Sequence, residues 1–303
     1  MEQHGKSEKR GAQTDRQGHE GQASEGAGKL YVVATPIGNL GDISARALAV
    51  LAQADLVAAE DTRTTGHLLA HHGITAKLVA LHEHNEMQRA AELVARIKAG
   101  KTIALVSDAG TPGISDPGAL LVARAREAGI SVCPIPGANA AIAALSAAGL
   151  AAAHFLFYGF LPVKSAARHT ALEALRELPY ALVFYEAPHR VEECVSDLRA
   201  VLGEKRRIVL ARELTKLFES IHACTLAEAA DWLAADPVRR KGEFVLIVEG
   251  AAGAPAANDT GQRALEVLLG ELPLRQAVNL AARITGGRKN ELYRMALAMK
   301  KRD

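Results

Sequence analysis

The amino-acid sequence predicts an α/β protein of two domains followed by a small helical bundle. Three observations carry that reading. Short β-rich runs alternate with helical stretches from residue 30 onward, a second such series follows residue 150, and the last residues, 262–303, show apolar stripes at helical spacing. A chain of 303 residues, 49% of them hydrophobic, has ample apolar surface for two packed cores. Aromatic residues are only 4%, so those cores must be built from Ala, Val, Leu and Ile.

Taken in order, residues 1–28 contain no Val, Ile, Leu, Phe, Trp or Tyr and six glycines, and read as a disordered tail. The first domain, 29–150, has strands expected at 30–34, 56–59, 78–81, 103–106 and 131–134. Helical patterns lie between them at 44–52, 62–72, 86–99 and 118–128, with an Ala-rich helix at 138–148. That alternation predicts a parallel sheet covered by helices on both faces. The second domain, 151–252, has strands expected at 155–159, 181–185, 207–211 and 243–248. Ala, Gly and Pro crowd the stretch after it, so 253–261 reads as a linker. In the module 262–303, Leu272, Leu274, Val278, Ala281 and Ala282 form one stripe. Thr285-Gly286-Gly287 stops that helix, and Leu292, Met295, Ala296 and Met299 form another. Three short helices here suggest a helix-turn-helix-like bundle, for which RNA docking and plain dimerisation or capping both remain open.

The net charge of +2 implies no partner, but its distribution is uneven. Residues 262–303 hold nine Lys/Arg against four Asp/Glu, a compact positive end on a nearly neutral body. Cys133, Cys194 and Cys224 are odd in number and far apart, which suits a reducing cytoplasm and no disulfide framework. No apolar run of ~18 residues and no signal-peptide pattern appears, so neither a membrane nor secretion is expected.

Three Gly/Pro-rich loops follow strands of the first domain: 34–42, the long 107–118, and 134–140. They fall at the C-terminal strand ends, the edge where open α/β sheets bind ligands. None is a G-x-G-x-x-G, which excludes a standard nicotinamide site. His67, His71, His72, His82 and His84 cluster locally, but no companion residues complete a metal motif, and no metal is expected.

Thr35-Pro-Ile-Gly-Asn-Leu-Gly-Asp42, Ala59-Glu-Asp-Thr-Arg63, Ser107-Asp-Ala-Gly-Thr-Pro112, Ile114-Ser-Asp-Pro-Gly118 and Pro136-Gly-Ala-Asn139 follow one another in a specific order. So do Gly159-Phe-Leu-Pro162, Tyr185-Glu-Ala-Pro-His-Arg190, Ala211-Arg-Glu-Leu-Thr-Lys216 and Gly242-Glu-Phe244. With Leu272-Pro-Leu-Arg-Gln-Ala-Val278 and Lys289-Asn-Glu-Leu-Tyr293, this series resembles the ribosomal RNA small-subunit methyltransferase I family of the tetrapyrrole methylase superfamily over about 30–300. Porphyrin and cobalamin-precursor methylases of the same fold usually carry Gly-Asp-Pro in the long loop, which is absent here.

The resemblance implies two tetrapyrrole-methylase-type domains with S-adenosylmethionine in the cleft between them. It implies a homodimer that methylates the 2′-hydroxyl of a decoding-centre cytidine in 16S rRNA, within the 30S subunit, with no DNA or membrane partner. It assigns Pro36, Gly38, Asp108, Gly110, Ile114 and Ser115 to the methionine part of the cofactor. Gly137, Ala138, Asn139, Phe160 and Leu161 then flank the adenosine. For the proton of the ribose hydroxyl, the candidate bases are Glu60, Asp61 and Glu186, each of which has an ion-pair alternative with Arg63 or Arg190. Arg63, Arg190, Arg212 and Lys216 are candidates to grip phosphate, with Arg288 and Lys289 in the basic module, while His84 and Asn85 line the RNA side. A small-molecule methylase of the same fold and a non-catalytic rRNA-binding assembly protein are the rival readings.

Overall fold

The computed structural model describes residues 28–150, 154–251 and 257–299, the side chains of 257–260 excepted. The expected tail over 1–27 and the first part of the expected linker, 253–256, lie outside the described residues. The remainder forms two compact units, one from 28–33 and 44–136, the other from 34–43 and 137–299.

The first unit runs β1 (Lys29–Val33), α1 (Ala45–Gln53), β2 (Leu56–Ala59), α2 (Thr62–His71), β3 (Leu78–Ala80), α3 (Glu86–Lys98), β4 (Ile103–Val106), α4 (Ala119–Glu127) and β5 (Ser131–Ile135). Its strands are parallel in the order β3-β2-β4-β1-β5. β2 and β4 read Leu-Val-Ala-Ala and Ile-Ala-Leu-Val and are buried at every residue, as strands covered on both faces must be. Leu30, Leu93, Ile97, Ile103, Leu105 and Leu121 make the main core. Two of the helix starts are capped by short polar side chains. Ser44 accepts from Ala47 N for α1, and Asp61 accepts from Arg63 N for α2. One oxygen of Glu86, in the first turn of α3, accepts from both Gly118 N and Leu120 N and so caps α4 from outside.

The second unit contains α5 (Ala140–Ala147), β6 (Phe155–Phe160), α6 (Ser165–Leu175), β7 (Ala181–Glu186), α7 (Val191–Leu202), β8 (Arg207–Arg212), β9 (Ser220–Thr225), α8 (Leu226–Ala234) and β10 (Phe244–Val248). The sheet order is β6-β7-β10-β8-β9, with β6 and β7 parallel and β10 antiparallel to both its neighbours. Two features differ from the sequence reading. The Ala-rich helix α5, placed before the boundary at 150, packs its Ala141 and Ala144 on the second sheet beside Val183, Val209 and Val245. Small side chains let this helix sit close to the strands. β9 was not among the expected strands; it pairs antiparallel along the whole of β8.

The C-terminal helices are α9 (Ala257–Glu271), α10 (Leu274–Thr285) and α11 (Lys289–Met299), so residues 257–261 of the expected linker are helical instead. Leu265, Val278, Ala281, Leu292 and Ala296 form their common core. Gly286, at φ 69°, ends α10 in the left-handed conformation that a C-terminal glycine supplies cheaply. Among the described residues no helix is long and apolar enough to cross a membrane.

Phe184 has no exposed surface and lies at the centre of the second unit's core with Leu182, Val195, Leu198 and Leu246. Phe184→Ala is expected to lower unfolding free energy by about 3–5 kcal/mol, read from urea denaturation. A loss below about 1 kcal/mol would mean that the core closes over the missing ring.

Candidate active site

In the first unit, acidic side chains gather at the C-terminal ends of β2 and β4. Glu60 and Asp61 leave β2, and Asp108 and Asp116 lie on the loop after β4. Glu60 Oε2 accepts from Asp108 N at 3.2 Å, and Asp108 Oδ1 accepts from Asp61 N at 3.0 Å, so carboxylates and amides cross-link the two loops. Burial raises the Glu60 carboxyl against the bond from Asp108 N, and the charges of Asp108 and Asp61 push the same way. Burial raises Asp108 as well. Asp116 is pushed up to about 6, chiefly by burial and then by the charge of Glu60, with a Ser107 hydrogen bond opposing. Asp61 behaves oppositely. The Arg63 guanidinium chelates it at 2.6–3.2 Å and holds it down at about 2. The Arg63 side chain is itself 86% exposed.

The same loop carries Gly110, buried, and Ile114 and Ser115, both exposed. Ser115 adopts φ 67°, a left-handed conformation that disfavours any side chain. Gly118 ends the loop at φ 124°, where a Cβ would lie 2.7 Å from Leu105 Cδ2. After β3, His84 is exposed, whereas Asn85 closes the turn: its side chain accepts from His82 N and donates to Ala80 O. Among the described residues no group of three His, Cys, Asp or Glu is placed to hold a metal ion.

In the second unit, residues 34–43 make a turn whose Pro36 is buried and whose Ile37 packs against the cluster containing Leu214. Gly38 is exposed, yet its Cβ direction is filled, since a Cβ there would lie 2.5 Å from Lys216 Cγ and 2.7 Å from Thr215 Oγ1. Gly137 passes directly beside Ala34, and Asn139 caps α5 by accepting from Ile142 N. Ala138 is half-buried between them. The Tyr185 hydroxyl accepts from Ala141 N, and its ring contacts Phe157 and Phe160. One tyrosine thus ties the 137–141 segment to the end of β6. Phe160 is 51% exposed, while the Leu161 side chain is in the core, leaving its backbone as the part able to meet a ligand.

Glu186, Phe244 and Arg212 stand side by side at the ends of β7, β10 and β8. The Glu186 side chain has no exposed surface; Oε1 lies 3.2 Å from Arg190 Nε, in an ion pair not aligned as a hydrogen bond, and accepts from Ala187 N. Arg190 Nη2 donates to Leu161 O at 2.6 Å. Arg168, 1% exposed, donates from Nη1 to Pro162 O and Val163 O and from Nε to Asp197. Buried Arg168 and half-buried Arg190 therefore hold consecutive carbonyls of the 161–163 segment. Arg212 donates to three carbonyls, of Lys241, Phe218 and Val238. Lys216 Nζ sits between Glu213 and Glu243 at 2.9 and 3.0 Å. Arg190, Arg212 and Lys216 thus bind protein groups away from the open surface, whereas Arg63 (paired with Asp61), Arg288 (4.0 Å from Glu291) and Lys289 are exposed. Asp116, Arg168, Tyr185 and Thr215 were given no role from sequence. Asp116, Tyr185 and Thr215 lie inside quoted motifs, which is the signal that marks them, while Arg168 lies in none.

Residues 29–230 match the Tetrapyrrole (Corrin/Porphyrin) Methylases family, and residues 255–300 match the RsmI C-terminal HTH domain. The Ribosomal RNA small subunit methyltransferase I of Escherichia coli O157:H7 is 55% identical over 276 residues, covering 91% of this chain and 96% of that protein. The chain belongs to the ribosomal RNA small subunit methyltransferase I family. Solved structures agree on the fold. The methyltransferase CobJ aligns at TM-score 0.56 with 22% identity, over 74% of this chain and 95% of that one. A uroporphyrin-III C-methyl transferase from Thermus thermophilus, complexed with S-adenyl homocysteine, aligns at TM-score 0.53 with 17% identity, over 73% and 97%. Tetrapyrrole methylases take S-adenosylmethionine as methyl donor, and it is the cofactor of this family member.

Because burial raises Asp116 from the model-compound value of 3.8 to about 6, its contribution to stability is fully present below about pH 4 and lost as pH rises through 6. Asp116→Asn is therefore expected to melt higher than wild type at pH 7–8, with the gap closing near pH 4. Thermal melts across that range check this, and a gap independent of pH would contradict it.

Proposed function

We propose that this chain transfers the methyl group of S-adenosylmethionine to the 2′-hydroxyl of a decoding-centre cytidine in 16S rRNA, within the 30S subunit, acting as a cytoplasmic homodimer. The observation that carries this reading is the 55% identity to a ribosomal RNA small subunit methyltransferase I over 91% of the chain. The match of 255–300 to the C-terminal HTH domain adds to it.

The donor set suits the cofactor. Glu60, Asp108 and Asp116 are acceptor carboxylates raised first by burial and then by the charge of neighbouring carboxylates, Asp61 in the case of Asp108, and a ligand bearing positive charge relieves that repulsion. Pro36, Gly38, Asp108, Gly110, Ile114 and Ser115 would hold the methionine part through loop backbone groups, and Gly137, Ala138, Asn139, Phe160 and Leu161 the adenosine. When bound, the cofactor supplies an electrophilic methyl on a sulfonium leaving group. The protein's task is then alignment, for which orientation is worth up to ~7–11 kcal/mol.

Proton removal from the ribose hydroxyl adds ~10²–10⁴-fold and needs a carboxylate poised near neutral pH. Asp61, held at about 2 by Arg63, is a weak base, and Glu186 has no exposed side-chain surface. Glu60, raised and half-buried, suits the role, with Asp116 beside it electrostatically. The exposed cations Arg63, Arg288 and Lys289, with His84, would meet the RNA; Arg190, Arg212, Lys216 and Asn85 would shape the loops that carry these groups.

Labelled S-adenosylmethionine incubated with purified 30S subunits, naked 16S rRNA and a precorrin-type tetrapyrrole should label the RNA of the 30S subunit. Label in the tetrapyrrole alone would sink the proposal. Replacing Arg288 and Lys289 by Gln removes two phosphate partners and should flatten the salt dependence of 30S binding by roughly 1.4 in log–log slope. Cofactor affinity should be unchanged.

A further inference from the structure

The connection between β8 and β9, residues 213–219, is fixed from several sides. Arg212 donates to Phe218 O at its far end, and Lys216 Nζ bridges Glu213 and Glu243. Glu213 Oε1 also accepts from Glu243 N at 2.9 Å, and Glu213 N donates back to Glu243 O at 2.9 Å. Thr215 N donates to Glu219 Oε2 at 2.6 Å, and Leu214 is packed into the core under α5.

Within this frame Glu213 and Thr215 adopt φ 52° and 66°. Threonine is β-branched, and the left-handed region is a genuine outlier for it. Such a conformation persists only where its surroundings over-determine it, and it concentrates at functional sites. Here it aims Thr215 Oγ1 at the backbone N–H of Asn39, 3.0 Å away and 176 positions earlier in the chain. The next residue, Lys216, lays its Cγ against the face of Gly38, where no Cβ fits.

We propose that Thr215 is a positioning residue for the cofactor: its hydroxyl fixes the 35–39 turn so that the backbone groups of Pro36 and Gly38 face the methionine part of S-adenosylmethionine. This rests on the reading above that Pro36 and Gly38 contact the cofactor. Valine keeps the shape and branching of threonine but leaves the Asn39 N–H without its acceptor, whereas serine keeps the acceptor.

The test uses the full chain, with S-adenosylhomocysteine titrated calorimetrically below the melting point of every variant. Thr215→Val should weaken binding roughly threefold to tenfold, the worth of one neutral hydrogen bond, and Thr215→Ser should stay within about twofold. The KM for S-adenosylmethionine should rise in the valine variant while kcat on 30S subunits at saturating cofactor changes little. Hydrogen exchange of the 34–43 segment, with and without S-adenosylhomocysteine, separates the two layers. If the segment is protected in wild type yet the valine variant binds normally, or if serine and valine lose affinity equally, the positioning role is overturned. If wild type shows no protection there, the cofactor assignment of Pro36 and Gly38 fails first and takes this inference with it.

Discussion

Arg212 ends β8 with its guanidinium inside the second unit, where it donates to the carbonyls of Lys241, Phe218 and Val238. Those carbonyls come from the β8–β9 connection and from the segment that leads into β10. A lysine, with one compact ammonium, could not span three acceptors in a planar fork. With that fork in place the 213–219 loop has a fixed start and end, and its left-handed residues have nowhere to relax. The Glu213–Lys216–Glu243 ion set, the seat of Leu214 and the contact of Lys216 with Gly38 all follow from the same geometry. Losing such a donor would break all three charge-assisted hydrogen bonds at once.

The first unit solves a different problem, that of holding carboxylates close together. Glu60, Asp108 and Asp116 crowd the strand ends, and two of their oxygens are steadied by backbone N–H groups of the opposite loop. Asp61, one residue from Glu60, escapes the crowd because it caps α2 and is forked by Arg63. Two adjacent acids thus titrate in opposite directions, an outcome of environment and not of residue type.

Much of this was legible in the sequence. Continuous apolar runs such as Leu-Val-Ala-Ala and Ile-Ala-Leu-Val can hardly be anything but covered parallel strands, and β2 and β4 fall where those runs lie. Most motif letters fall on strand ends and the loops that follow them. What they did not reveal is the direction in which a side chain turns. Arg190, Arg212 and Arg63 look alike as basic residues in motifs, yet the first two reach carbonyls inside the unit and the third forks the Asp61 carboxylate at the surface. Sequence has no local signature for a guanidinium that satisfies backbone groups many residues away. The placement of α5 escaped for a related reason: an Ala-rich helix has no bulky stripe to say which sheet it covers. Likewise the short polar-apolar alternation of β9 competes poorly with the stronger runs around it.

Thr215 and Glu213 hold a conformation that glycine or asparagine would adopt with less strain. An engineering campaign that ranked substitutions by heat resistance alone would be drawn to these two positions, because a non-glycine residue in the left-handed region costs about 1–3 kcal/mol. The melting curve would then improve at the one connection whose stiffness holds the Asn39 turn. Here strained backbone is the part that selection for durability should leave alone.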